Sequence, residues 1–174
     1  MEKKPLSHIT IGGIIGGIII VYSMILNFME LTANKPLGYL MYAIILAGII
    51  IAVNMYGKSV DHTASFGKLF VFGFKTTAVV TILVIAFQVV FFLIFPEYKE
   101  KFFEIAHEQM LKEGKANEEQ IEMGIQMVRK LFWVFIIGGT LFGFVMFGAI
   151  SSIIGAAVTK KIPPQSPFQQ PPLQ

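Results

Sequence analysis

Four uncharged runs divide this chain: Ile9 to Met29, Leu37 to Tyr56, Thr76 to Phe95 and Leu131 to Val158, of 21, 20, 20 and 28 residues. A helix rises about 1.5 Å per residue, so about 20 apolar residues cross the roughly 30 Å hydrocarbon layer of a bilayer. Only 14% of the chain is charged and 55% is hydrophobic, against about 25% charged in ordinary soluble domains. A soluble core cannot absorb that much Ile, Val and Phe. The expected fold class is all-α: an integral membrane four-helix bundle with spans at about 9–29, 37–56, 69–95 and 131–158. The first run follows lysines, as a signal peptide does, but it is too long for one and ends in Met29-Glu30 without a small-residue cleavage site. The last run, about 42 Å at helical rise, exceeds the hydrocarbon thickness and must tilt or protrude.

The charges are segregated. Pro96 to Lys130 holds 6 of the 14 Lys and Arg residues and 8 of the 11 acids. This stretch reads as a water-facing helical hairpin, 96–130, mounted between spans three and four. Tyr98, Phe102, Ile105, Ala106 and Met110 fall at helical spacing beside an acidic stripe of Glu97, Glu100, Glu104 and Glu108. Gly114 fits a C-terminal cap, and Asn117 fits the next N-cap with Gln120 in the capping-box position. Ile121, Ile125 and Val128 line the second arm and are expected to zip against Tyr98, Phe102 and Ile105. Only Gly124 interrupts that arm before Leu131, so it is expected to run unbroken into span four. Ser65 caps a helix that begins before the third membrane run, with Lys68 and Lys75 on one face seven residues apart. The region 1–161 forms one membrane domain on this reading. The tail, 162–174, holds 5 of the 8 prolines and is expected to be extended and mobile.

Small residues mark the packing faces. Gly12, Gly13, Gly16 and Gly17 make two overlapping GxxxG patterns on adjacent faces of span one. Glycine lets another helix backbone approach closely, which in lipid replaces the missing hydrophobic drive. Gly139, Gly143, Gly148, Ser152 and Ala156 give span four a comparable face. Polar residues inside spans are costly and often functional. Asn27, Asn54, Lys75 and Gln88 stand out. Asn54 with Lys75, and Gln88 with Asn27, lie at matching depths, and helix-to-helix hydrogen bonding is preferred to a substrate path.

With four spans, the head, the second loop and the tail share one side. That side carries Lys3, Lys4, Lys58, Lys68, Lys75, Lys160 and Lys161 against Glu2 and Asp61. The other side carries seven basic residues against nine acids. The basic count ties. On the first side, however, the lysines sit at membrane ends without acids beside them, and the first span tends to set orientation. The termini are therefore expected in the cytoplasm and the hairpin in the periplasm of a bacterial inner membrane.

No chemistry-bearing motif survives inspection. His107-Glu108 begins HExxH but continues to Leu111, and Glu104-Ile-Ala-His107 matches one arm of a carboxylate di-iron site with no second copy. A solvated acidic face explains both. There is no cysteine, so thiolate ligands and nucleophiles are excluded. Pro164-Gln-Ser-Pro167 is a lone PxxP, a weak ligand signal. No enzyme activity, metal or cofactor is expected.

The chain resembles a bacterial inner-membrane family widespread in Bacteroidota, the domain of unknown function four-one-nine-nine. The resemblance rests on Ser65-Phe66-Gly67-Lys68 and Gly73-Phe74-Lys75-Thr76 leading into span three, then Phe95-Pro96-Glu97. It continues through Gly114, Glu118-Glu119-Gln120-Ile121 and Ile153-Ile154-Gly155-Ala156 before Lys160-Lys161. It implies four spans, no known activity, and a membrane-associated family-two glycosyltransferase as a partner to test. The long Pro-rich tail departs from the family pattern. The expected role is a non-enzymatic accessory or scaffold subunit. Its expected partners are the bilayer and other integral membrane proteins, or a second copy of the chain, and not nucleic acid. The alternative is a small transporter or lipid-handling protein.

Overall fold

Side-chain caps set where four of the helices begin. Ser7, Asn34 and Ser65 each accept a backbone N–H from the first turn that follows, and Asn117 and Gln120 close a reciprocal capping box with bonds of 2.9 and 3.1 Å. The computed structural model describes residues 7–114 and 117–162; the basic head, and the PxxP with the rest of the tail beyond Ile162, lie outside them. The helices are α1 His8–Phe28, α2 Lys35–Ser59, α3 Phe66–Ile94, α4 Glu97–Glu113, α5 Glu118–Lys130 and α6 Phe132–Val158. Among the described residues there is no strand. α1, α2, α3 and α6 are long and apolar enough to cross a membrane. Gly114 ends α4 at φ 62°, the left-handed conformation that glycine adopts without a Cβ clash.

α3 lies between α1 and α6, and α2 packs against α6 and α3. Facing residues give the directions. Gly12 meets Val79 and Gly16 meets Leu83, so α1 and α3 are parallel. Gly73 faces Ser152 and Gly148 faces Thr77, so α3 and α6 are antiparallel. The core runs along this seam and its neighbours, with Ile15, Ile19, Ile45, Ile49, Val53, Leu69, Val80 and Val84 buried. The buried hydroxyls of Thr76, Thr77, Thr81, Ser151, Ser152 and Thr159 donate to carbonyls four residues back in their own helices. The faces they line are therefore small and satisfied, which lets the helices close.

At the end of the bundle where α1 begins, the α2–α3 loop is tied to the end of α6. The Ile162 N–H donates to the His62 carbonyl at 2.9 Å, and His62 Nδ1 lies 2.9 Å from the Lys160 carbonyl. Asp61 and His62 are held at φ 48° and 61° by this arrangement, a conformation uncommon outside glycine.

One expectation fails at the other end. α5 does not run unbroken into the last span: Leu131 leaves helical geometry at φ −107°, ψ 22°. Bonds from the Leu131 N–H to Met127 O and from the Phe135 N–H to Leu131 O, each 3.0 Å, bridge the bend. The physical reason is Phe132. It is buried among the rings of Phe92, Phe102 and Phe103, with centroids 5.1–5.8 Å away. The bend seats that ring while α5 stays against α4.

Candidate functional site

The doubled glycine pattern of α1 divides between two environments. A Cβ on Gly12 would stand 2.7 Å from Val79 Cβ and 3.1 Å from the Thr76 carbonyl oxygen; one on Gly16 would stand 3.2 Å from Leu83. This face is spent on α3. Gly13 and Gly17 have nothing within 4 Å, and Ile14, Ile18 and Val21 beside them are exposed. The outer face is thus a shallow glycine groove with β-branched walls, open on the side away from the bundle.

The second small-residue face behaves in the same divided way. Gly148 sits against Thr77, and Ser152 against Gly73, where a Cβ would come within 2.6 Å of Ser152 Oγ. Gly143 leaves room for Tyr42, at 3.5 Å, whose ring stacks on Phe147. Gly139, with Gly138, meets nothing within 4 Å. The complementary ladder on α3, Gly73-Thr77-Thr81 at spacings of four, was not singled out from the sequence, although its small-xxx-small spacing is legible there. Gly48 and Gly57, closed by Ile15 and Thr159, were also missed.

The intramembrane polar residues do not pair as expected. Gln88 Oε1 accepts from Thr140 Oγ1 on α6 at 3.0 Å, an interhelical bond with a different partner. Asn27 Nδ2 donates to the Ser23 carbonyl in its own helix at 2.8 Å. Lys75 is exposed and lines a groove with His8, Tyr56 and Lys68 instead of meeting Asn54. Equal depth is necessary for a contact, but these residues point from their helices in different directions.

The hairpin's contacts also differ from the expected zipper. Tyr98 turns to the end of the bundle, with ring centroids of Phe28, Phe91 and Phe95 at 5.2–6.2 Å. Phe102 approaches Phe132, and Ile105 borders a cavity over the α1–α2 loop. The arms meet through a neighbouring stripe. Phe103 and Ile121 are buried, Met110 reaches Gly124, and the chain's single arginine, Arg129, holds them together. Its guanidinium lies 4.5 Å over the Phe103 ring and bonds both Glu100 oxygens, at 2.6 and 2.9 Å. Both bonds come from Nη1, and it is the stacking of the flat guanidinium on the ring that suits arginine and not lysine. Outward from the arms, Met123, Met127 and Leu131 form an exposed apolar row.

The underside of α4 is fastened to the α1–α2 loop. Lys101 Nζ donates to Glu30 Oε1 at 2.6 Å, with Glu30 held at φ 57°. The lysine bond and charge hold the Glu30 carboxyl below its usual range, and the bond to Glu30 holds Lys101 above the usual range for lysine. Between α4 and the loop lies a cavity of about 460 Å³, bordered by Asn27, Glu30, Phe92, Tyr98 and Lys101. Glu104 and His107 line a separate open groove of about 670 Å³ between α4 and α5, together with Glu100, Glu108, Glu118 and Glu122.

No curated protein and no solved structure matches the chain. A family model described as "Protein of unknown function (DUF4199)" matches residues 10–161, which takes in all four long apolar helices and both arms of the hairpin. The chain belongs to the DUF4199 family, and within it is an all-α protein built on four membrane-span helices.

Proposed function

We propose that this protein is a non-enzymatic accessory or scaffold subunit of a membrane protein complex, seated in a bacterial inner membrane with both termini in the cytoplasm and the hairpin in the periplasm. The observation that carries the reading is the division of the α1 glycines. Gly12 and Gly16 account for packing inside the bundle, while Gly13 and Gly17 offer a second helix-docking face that none of the described residues fills. In lipid, exposed Ile and Val are ordinary, but a paired glycine groove is suited to the backbone of another helix. The Met123-Met127-Leu131 row extends the docking surface to the hairpin, where pliant methionines fit a protein partner. A membrane-associated glycosyltransferase is one partner to test, and a second copy of the chain is the other.

A transport path through the bundle has less support. Of the four polar residues that would line it, Gln88 accepts from Thr140, Asn27 donates to the Ser23 carbonyl in its own helix, and Lys75 does not meet Asn54. The test is gentle solubilisation of the tagged full chain from its native membrane. A stoichiometric membrane protein, or a homodimer, is expected to co-purify; a monomer with no companion contradicts the reading.

A further inference from the structure

At the end of the bundle where α1 begins, a groove of about 340 Å³ opens between the first turns of α1 and α3. Lys68, Lys75 and His8 line it. Its wall and floor are Val71 and the Tyr56 and Phe72 rings, which stack 4.1 Å apart at 5°. No carboxylate lines it, and neither lysine is ion-paired among the described residues. Asp61 is the one described acid at this end of the bundle. α1 and α3 run parallel, so both present their positive N-terminal ends on this side of the bundle.

The depth of these groups selects the ligand. The uncharged membrane run of α3 starts immediately after Lys75, at Thr76. Lys68 lies two turns further out on the same face, about 10 Å along the axis. The polar layer of a bilayer is about 5–8 Å thick on each side, so the two ammonium groups bracket the level of lipid phosphates. A lysine that merely snorkels needs no groove. Here the cations flank a concavity whose inner wall is apolar, which is the shape of an acidic headgroup with its first acyl carbons.

From this geometry we infer that the His8–Lys68–Lys75 groove is a binding site for the phosphate of an anionic phospholipid. The chemistry recognised is a phosphodiester anion, and the apolar wall and interfacial depth assign it to lipid instead of free phosphate. The site stands apart from the glycine face and does not depend on the proposed complex.

The test uses the full chain in phosphatidylcholine vesicles carrying a trace of spin-labelled phosphatidylglycerol or spin-labelled phosphatidylcholine. Electron spin resonance measures the protein-bound fraction of each. The protein is expected to select phosphatidylglycerol. Selectivity is expected to fall by roughly two- to five-fold for each lysine removed in Lys68→Gln and Lys75→Gln, and to stay unchanged in Lys58→Gln, an exposed lysine at the same end of the bundle outside the groove. Lys68→Gln lies before the apolar run, so it keeps the test decisive if Lys75→Gln does not fold. Equal binding of the two lipids, or an equal loss in Lys58→Gln, overturns the inference. So does displacement of the label by millimolar inorganic phosphate beyond that of chloride at matched ionic strength, which would make the site one for free phosphate.

Discussion

Gly12 and Gly13 are neighbours in sequence with opposite surroundings, and they make a sensitive probe of the packing. A side chain at Gly12 meets Val79 and the Thr76 backbone at once. Val79 is branched and the carbonyl is part of a helix, so neither can swing aside. Overpacking of this kind costs about 1–3 kcal/mol. Gly12→Leu is expected to lower the thermal unfolding midpoint of the purified protein in detergent, whereas Gly13→Leu is expected to leave it within error. Equal loss in both variants would mean that the outer face is also packed in the purified protein, against the bundle or a second copy. The doubled motif itself was legible in the sequence. The assignment of one pair inward and the other outward was not, because a 3.6-residue period puts the two pairs about 100° apart and only the position of α3 decides between them.

At the level of elements, the hairpin is fastened at three places: the Phe103–Arg129–Glu100 stack between its arms, the Phe132 ring at its root, and the Lys101–Glu30 bridge to the first loop. The bridge sets a pH window. Glu30 titrates below its unperturbed value, so its contribution is present above about pH 4.3 and is lost as pH falls through the depressed value. Lys101 titrates above its unperturbed value, so its contribution is present below about pH 10.4 and is lost as pH rises through the raised value. Amide exchange of α4, corrected for its intrinsic pH dependence, is expected to be slow between those limits and to quicken in acid. Glu30→Gln is expected to exchange at most about five-fold faster between those limits, since an exposed ion pair is only weakly stabilising, and a wild-type profile identical to that variant would remove the bridge from the account. Both arms, Gly114 and the capping box were readable because they rest on neighbours within a turn. The Glu30–Lys101 bridge spans 71 positions and leaves no local trace. The Tyr98, Phe102 and Ile105 stripe was correctly seen as apolar but assigned to the wrong partner. Phe103, one residue over from Phe102, faces α5 together with Met110 at the far end of the stripe, and this frees Tyr98, Phe102 and Ile105 for the bundle end.

For the whole molecule, four long uncharged runs were sufficient to specify four membrane-span helices, since length and hydropathy alone limit such runs to few structures. Their arrangement was not accessible in the same way. The α3–α6 seam depends on Gly73 and Thr77 matching Ser152 and Gly148 in antiparallel register, and the sequence holds several small-residue ladders that could have matched. The proposed orientation follows from lysines at the membrane ends and can be read directly, because the chain has no native cysteine. Glu119→Cys, at the start of α5, is expected to react with an impermeant maleimide once the outer membrane is opened and the inner membrane kept sealed. Protection until the inner membrane is also permeabilised would reverse the topology.

The central claim is that the outer glycine face of α1 holds another protein helix. It is tested most directly by site-specific cross-linking in native membranes. Ile14→Cys and Ile18→Cys flank the open glycines, and Ile82→Cys on α3 is comparably exposed but comes within 4 Å of neither open glycine. With a bifunctional or photoactivated thiol reagent, the first two positions are expected to give one discrete adduct, lost when Gly13 and Gly17 are both replaced by leucine, while Ile82→Cys gives none. No adduct from Ile14 and Ile18 despite full thiol labelling, or the same diffuse adducts from all three positions, would contradict the account.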